Sequence, residues 1–402
     1  MKNNIFHTQD LCFAQTCDAL ESSAEMEIYM KVVIAIDSFK ESMTSMEAGN
    51  AVKKGILAAK PDAEVVVNPL ADGGEGTVDA LIEGLGAKKI PVTVTGPLGE
   101  KVSCYYGFLE ETKSAVMEMA SAAGITLVTK KDPLRASTYG VGEMIADALK
   151  RGCKNFMIGI GGSATNDGGI GMLKALGFEF FDEDGNDVGE GAAALVKIEV
   201  IRTENKNPLL SGAKFQIACD VKNPLCGKQG ATYIFGPQKG VTEEQKEQVD
   251  EAMRHYADVT KESLDCDFAD CEGAGAAGGL GYAFLSYLAG ELIPGVELIL
   301  QATGLEEKMK NADVVVTGEG RLDAQTVMGK APVGVAALAK KYNAKVIAFA
   351  GSVAPEASVC NQAGIDAFFP IVRGVTTLEE AMKKENAMEN IAATAEQVFR
   401  LL

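Results

Sequence analysis

Short apolar runs alternate with amphipathic stretches at both ends of this chain. Residues 31–36 (KVVIAI) read as a buried strand, and apolar positions 48, 52, 56 and 57 continue a helix opened by the capping box Thr44-x-x-Glu47. A second strand covers 64–68, with a helix from the following loop to about residue 83. The same pattern returns with strands at 313–316, 345–349 and 366–371 and helices at 328–342 and 386–402. Between these halves the period changes. Alternating segments at 92–94, 102–108 and 114–119 are separated by turns such as Gly96-Pro97-Leu98-Gly99 and predict antiparallel or mixed strands. A helix over 138–150, a strand over 156–160, a helix over 170–176 and a strand over 215–218 follow. Thr242-x-x-Gln245 caps a long, exposed helix to about residue 261.

This order predicts an α/β protein of two domains, a doubly wound parallel sheet formed by both chain ends and an inserted mixed α/β domain. The expected boundaries are 30–85 with 292–402 for the parallel sheet and 86–291 for the insert. Residues 1–29 carry no sustained period and no secretory pattern; they are expected to be an N-terminal extension, disordered or weakly helical.

Composition narrows the function. At 402 residues, with 47% hydrophobic and 23% charged residues, the chain can bury two ordinary cores. A net charge of −18 argues against nucleic acid and anionic membrane surfaces as partners, and no apolar run approaches the ~20 residues that span a bilayer. The nine cysteines form no C-x-x-C and read as free thiols in a reducing cytoplasm. There are two histidines, His7 in the N-terminal stretch and His255 in the charged helix, so acid–base chemistry is expected from carboxylates or lysines. The sequence specifies no oligomeric state.

The most distinctive stretch is GIGGSATNDGGIG, residues 159–171, between an apolar strand and a helix. Glycines let backbone N–H groups approach an anion, and Ser163 and Thr165 can donate to phosphate oxygens. Asp167 would repel bare phosphate, which fits a cation between them or a proton taken from a hydroxyl. Gly159, Gly161 and Ala164 also satisfy the dinucleotide pattern G-x-G-x-x-A, with Asp182 as a ribose carboxylate, and a tight turn without ligand is a third reading. A second glycine run, residues 273–281, lacks a preceding strand and reads as close packing. Gly329-Lys330 lacks the flanking residues of a phosphate-binding P-loop.

Ligands of open parallel sheets bind beyond the carboxyl ends of the strands. Here those ends carry Asp37-Ser38, Asp72-Gly73-Gly74, Glu319-Gly320 and Gly351-Ser352, and the insert adds Asp167 and Asp220. Each acid alone could be a cap or a turn. Together they suggest a cleft that takes up cations, with Lys40 and Arg321 available for a substrate carboxylate.

Four ordered blocks carry a resemblance: the opening strand with Asp37-Ser38-Phe39-Lys40, then Ala71-Asp72-Gly73-Gly74-Glu75-Gly76, then Gly161-Gly162-Ser163-Ala164-Thr165-Asn166-Asp167-Gly168-Gly169, and Thr317-Gly318-Glu319-Gly320. From Met30 nearly to its end the chain resembles the bacterial type I glycerate kinase family. The resemblance implies a flavodoxin-like domain and an inserted one with a cleft between them. It also implies transfer of a phosphoryl group from Mg-ATP to D-glycerate, with 2-phosphoglycerate favoured and 3-phosphoglycerate the alternative.

On the chemistry of the residue types, the phosphates are expected on the N–H groups of Gly161, Gly162 and Gly168 with Ser163 and Thr165, and Mg²⁺ on Asp167 and Asp220. Lys40 or Arg321, with Ser38 and Glu319 beside them, would bind glycerate. Asp37 or Asp72 would take the hydroxyl proton, and Lys40 belongs to the same catalytic group. A nicotinamide-dependent hydroxy-acid dehydrogenase and a non-catalytic nucleotide- or anion-sensing module are the alternatives.

Overall fold

The computed structural model describes residues 29–71 and 77–402. The expected extension up to residue 28 and residues 72–76, including the candidate Asp72, lie outside the described residues. Strands β1 (Lys31–Ile36) and β2 (Glu64–Pro69) open the chain. The middle supplies β3 (Lys88–Thr95), β4 (Lys101–Leu109), β5 (Ser114–Glu118), β6 (Asn155–Gly159), β7 (Glu179–Phe181), β8 (Val200–Arg202), β9 (Lys214–Ala218) and β10 (Glu291–Ile293). The chain closes with β11 (Val314–Leu322), β12 (Lys345–Val353) and β13 (Ala367–Pro370).

Five strands from the two ends form one parallel sheet in the order β13-β12-β11-β1-β2. The interior strand β1 is buried on both faces, which is why 31–36 reads as an apolar run rather than an alternating one. Renumbered along that sheet the order is 2-1-3-4-5, the flavodoxin-like arrangement, with its topological switch between β1 and β11. The middle strands form a second, mixed sheet, β10-β9-β6-β5-β4-β3. It is parallel from β10 to β5 and antiparallel through β4 and β3, and β7 and β8 pair separately. One apolar cluster joins the two sheets: Val33 and Ala35 of β1 share it with Met157 of β6 and Ala218 of β9, through helix residues such as Leu81 and Ile299.

Several boundaries differ from the sequence reading. Strands β11 and β12 run on through Glu319-Gly320-Arg321 and Gly351-Ser352, segments that read as loops because of their glycines. Those glycines instead allow close backbone approach: a Cβ on Gly351 would stand 2.6 Å from the Gly320 carbonyl oxygen. β10 pairs with β9, Ile293 opposite Ala218, so the second sheet extends past the expected boundary at 291. The helix expected at 328–342 is a short turn at Thr326–Met328, broken by Gly329 at φ 103°, followed by a helix over Ala331–Lys340. The capped helix, Glu243–Leu264, is not wholly exposed; its apolar face buries Val249, Met253 and Tyr256. His255 is half-buried, with Nε2 2.7 Å from the Ile198 carbonyl oxygen. The cysteines among the described residues are free, and among those residues no helix is long and apolar enough to cross a membrane.

Candidate active site

Two cavities open at the carboxyl ends of the two sheets. The larger, about 670 Å³, lies at the switch between β1 and β11. Its polar side is formed by Asp37, Ser38, Lys40, Glu319, Arg321 and Lys330, so five sequence candidates are brought together there with one unforeseen lysine. Its lining also includes the apolar Phe39, Ile371, Val372, Leu378, Ala381 and Met382, with Thr376, Thr377 and Asn390 among them. Three of these come from the short helix Leu378–Met382, which the sequence reading did not separate from the segment before the last helix.

The strand geometry explains the polar side. The Asp37 N–H donates to the Gly318 carbonyl at 3.0 Å, continuing the β1–β11 pairing beyond Ile36. The Asp37 carboxylate accepts from the N–H of Ser38 at 2.7 Å. Glu319 is 7% exposed; it accepts from Thr326 Oγ1 at 2.6 Å, and Lys330 Nζ lies 3.4 Å away. Burial raises the Glu319 carboxyl above its ordinary range, with Thr326 and Lys330 opposing. Arg321 is steered by Asp323 at 3.5 Å.

The smaller cavity, about 250 Å³, lies at the ends of β6 and β9. Gly161, Gly162, Ser163, Asp220 and Lys239 line it, with Phe235 and Ala277 among its apolar neighbours. The loop is pinned at its edges: Ile125 N–H donates to the Gly162 carbonyl and Ala164 N–H to the Ala123 carbonyl. The N–H groups of Gly161, Gly162 and Ser163 make no hydrogen bond among the described residues. A Cβ on Gly161 would meet open space, and Gly162 takes φ +73°. This is the open, donor-rich backbone expected of an anion cradle.

The rest of the glycine run turns inward, and three of its expected site residues do not line the cavity. Gly168 spends its N–H on the Gly278 carbonyl at 2.9 Å, and a Cβ there would stand 2.8 Å from the Tyr256 ring; its glycine serves packing. Thr165 is wholly buried and does not line the cavity; its Oγ1 has no partner among the described residues, and its carbonyl accepts from Lys239. Asp167 is 0% exposed and accepts from the Thr138 N–H and hydroxyl, both at 2.8 Å, and from the N–H groups of Gly169 and Gly171. A carboxylate so enclosed braces the loop against the helix Tyr139–Lys150, and it is not among the residues lining the cavity. Burial nevertheless raises its pKa, with the Thr138 donors opposing. Asp220, the other expected metal ligand, does line the cavity and accepts from the Gly295 N–H at 2.8 Å.

Lys239 was missed. It closes the helix Ala231–Lys239, is 2% exposed, and donates to the Thr165 carbonyl at 2.6 Å. Burial pushes its pKa down to about 7, against the pull of Asp167. The sequence signal was slight: Gly240 marks a helix end, which places Lys239 in a last turn but not against the glycine loop. Lys330 was set aside with the incomplete P-loop pattern.

The dinucleotide reading loses its carboxylate. Asp182 accepts from the N–H groups of Asp184 and Asn186 in the turn after β7. In the second glycine run, a Cβ on Gly281 would stand 2.3 Å from the Gly273 carbonyl oxygen, so close packing accounts for those glycines.

The two strand-end regions meet at the helix Thr77–Leu85, which follows β2 of the first sheet; its Val78 N–H donates to Glu118 at the end of β5 of the second. Among the described residues no group of three or more His, Cys, Asp or Glu could hold a metal by itself.

Comparison with known proteins agrees with this architecture. Residues 32–402 match the profile of the glycerate kinase family. The chain is 45% identical to a glycerate kinase of Bacillus subtilis (strain 168), over 92% of this chain and 97% of that protein. It is 46% identical to a glycerate 2-kinase of Escherichia coli (strain K12), over 91% and 98%. A crystal structure of a protein from Salmonella typhimurium LT2, named glycerate kinase 2, superposes with a TM-score of 0.85 at 44% identity, covering 92% of this chain and 97% of that one. The chain belongs to the glycerate kinase family.

Proposed function

We propose that this kinase transfers the terminal phosphoryl group of ATP to the 2-hydroxyl of D-glycerate, with Mg²⁺ as the metal. ATP is the donor the family implies. The 2-position is supported by the name of the Escherichia coli relative. The observation that carries the reading in this molecule is the pair of unlike polar cavities at the carboxyl ends of two sheets that meet at one helix.

Phosphoryl transfer asks a protein mainly for positioning and for neutralisation of charge. Lys40, Arg321 and Lys330 supply positive charge in one cavity and Lys239 in the other. Mg²⁺ keeps several waters and is held by one or two carboxylates together with substrate phosphates, so no closed cage is required. Asp37 and Asp220, each lining a cavity, have the donor chemistry for that role; Asp167 lines neither. Once bound, the metal neutralises charge on the transferring group. A carboxylate must also take the hydroxyl proton, help worth about 10²–10⁴-fold, and Asp37 and Asp220 are again the candidates.

A coupled assay for ADP release tests the proposal. Release should require both D-glycerate and Mg²⁺, stop on addition of EDTA and return with excess Mg²⁺. Equal ADP release with and without D-glycerate would overturn it.

A further inference from the structure

The two cavities differ in size and in lining, and that difference divides the substrates. A pocket for a drug-sized ligand runs from roughly 300 to 1,000 Å³ and is largely apolar, with a few placed polar groups. The larger cavity, at about 670 Å³, lies inside that range. Its lining combines the apolar Ile371, Leu378, Ala381 and Met382, suited to a base, with Thr376, Thr377 and Asn390, suited to a ribose, and with Lys40, Arg321 and Lys330, suited to phosphates. It also occupies the switch point of a flavodoxin-like sheet, where phosphate-bearing ligands settle in such folds. The smaller cavity, at about 250 Å³, falls below the range for a ligand the size of a nucleoside triphosphate. Its donors are compact: one buried ammonium group and three undonated backbone N–H groups.

We infer that the cavity at the β1–β11 switch takes the adenine nucleotide and that the glycine-loop cavity takes the hydroxy acid, its carboxylate held by Lys239 Nζ and the N–H groups of Gly161 and Gly162. This reverses the allocation drawn from the glycine motif alone, and it rests on the kinase reading above. Glycine-rich backbone is suited to any small anion, a carboxylate included, so the motif does not by itself select phosphate. A buried lysine is costly when unpaired, and an incoming carboxylate supplies the partner that the Thr165 carbonyl alone does not. In the transfer, the glycerate hydroxyl oxygen forms a bond to the terminal phosphorus as the bond from that phosphorus to the bridging oxygen breaks. ADP leaves with the electron pair, and the hydroxyl proton passes to a carboxylate. Asp220 is the carboxylate lining the smaller cavity, and Asp37, in the larger, is left to the metal.

Two variants separate the cavities. Ala381→Trp fills the larger one. Gly161→Leu fills the smaller one from a position with open space and no left-handed backbone requirement. Binding of a non-hydrolysable ATP analogue with Mg²⁺ is measured by calorimetry, the KM for D-glycerate by the coupled assay, and folding by melting temperature. Ala381→Trp should weaken the analogue at least tenfold and leave the KM for D-glycerate within about twofold. Gly161→Leu should raise that KM at least tenfold and leave analogue binding within about twofold, and Lys239→Met should do the same. The opposite pattern, or both ligands affected by both variants, or neither, overturns the allocation. Absence of D-glycerate-dependent ADP release in the unsubstituted protein would instead overturn the kinase reading.

Discussion

Asp167 lies in a motif that suggests ligand binding and is enclosed by donors of its own chain. Its position in a glycine-rich loop suggested a metal ligand, yet its oxygens are spent on Thr138, Gly169 and Gly171. Hydrogen bonds to a charged group contribute roughly 1.5–3 kcal/mol each, and an Asn can satisfy only part of this set. Asp167→Asn is therefore expected to cost about 2 kcal/mol, a fall in melting temperature of roughly 4–8 °C. An unchanged melting temperature with lost Mg²⁺ dependence would restore Asp167 to the metal.

Lys239 makes a second prediction at the same scale. Unfolded, its amine keeps its proton up to about pH 10.5; folded, burial lowers that to about 7. Between these values the unfolded chain binds more protons, so stability from this group rises with pH across the window and is lost as pH falls toward 7. Lys239→Met should flatten the dependence of melting temperature on pH between 7 and 10.5 in the ligand-free protein. Parallel curves for the two proteins would contradict the buried, depressed amine. Neither residue's environment was legible in the sequence, because the Thr138–Asp167 and Lys239–Thr165 contacts join positions far apart in the chain.

At the scale of elements, hydrophobic periodicity located most strands and the capped helices, because burial of β1 and the capping boxes at Thr44 and Thr242 are local properties. Glycine was the residue that misled. At Gly320 and Gly351 it permits two strands to continue side by side, at Gly168 it makes room for Tyr256, and at Gly161 it leaves a cavity open. A local pattern cannot distinguish these uses, since each depends on what approaches from elsewhere. Substitution distinguishes them. Gly168→Ala, at φ +61° and against the Tyr256 ring, should lower the melting temperature by several degrees with both KM values near those of the unsubstituted protein. Gly161→Ala should leave the melting temperature within about 2 °C, since surface-like changes without a named cost stay within about 0.5 kcal/mol. Equal destabilisation by the two would contradict the distinction.

For the whole molecule, the interruption of a βαβ pattern by a stretch of different period was enough to foresee one sheet from both chain ends and another from the middle. The division of substrates proposed above differs from the one the glycine motif suggested. The glycine motif stood out by composition, whereas the larger cavity is assembled from the ends of β1, β11 and β12 and the segment after β13, none of which is conspicuous alone. The second sheet runs past the expected boundary at 291, because β10 is three residues long and its pairing with β9 has no local signature. We propose that the functional division follows the sheets, with residues up to Ile293 belonging to the insert.

In the proposed reaction phosphorus leaves ATP and arrives on a specific oxygen of a three-carbon acid. Phosphorus NMR of a reaction containing ATP, Mg²⁺ and D-glycerate reads this directly. The expected result is 2-phosphoglycerate appearing one-for-one with ADP. Inorganic phosphate as the sole new product, or phosphate on the 3-hydroxyl, would contradict it.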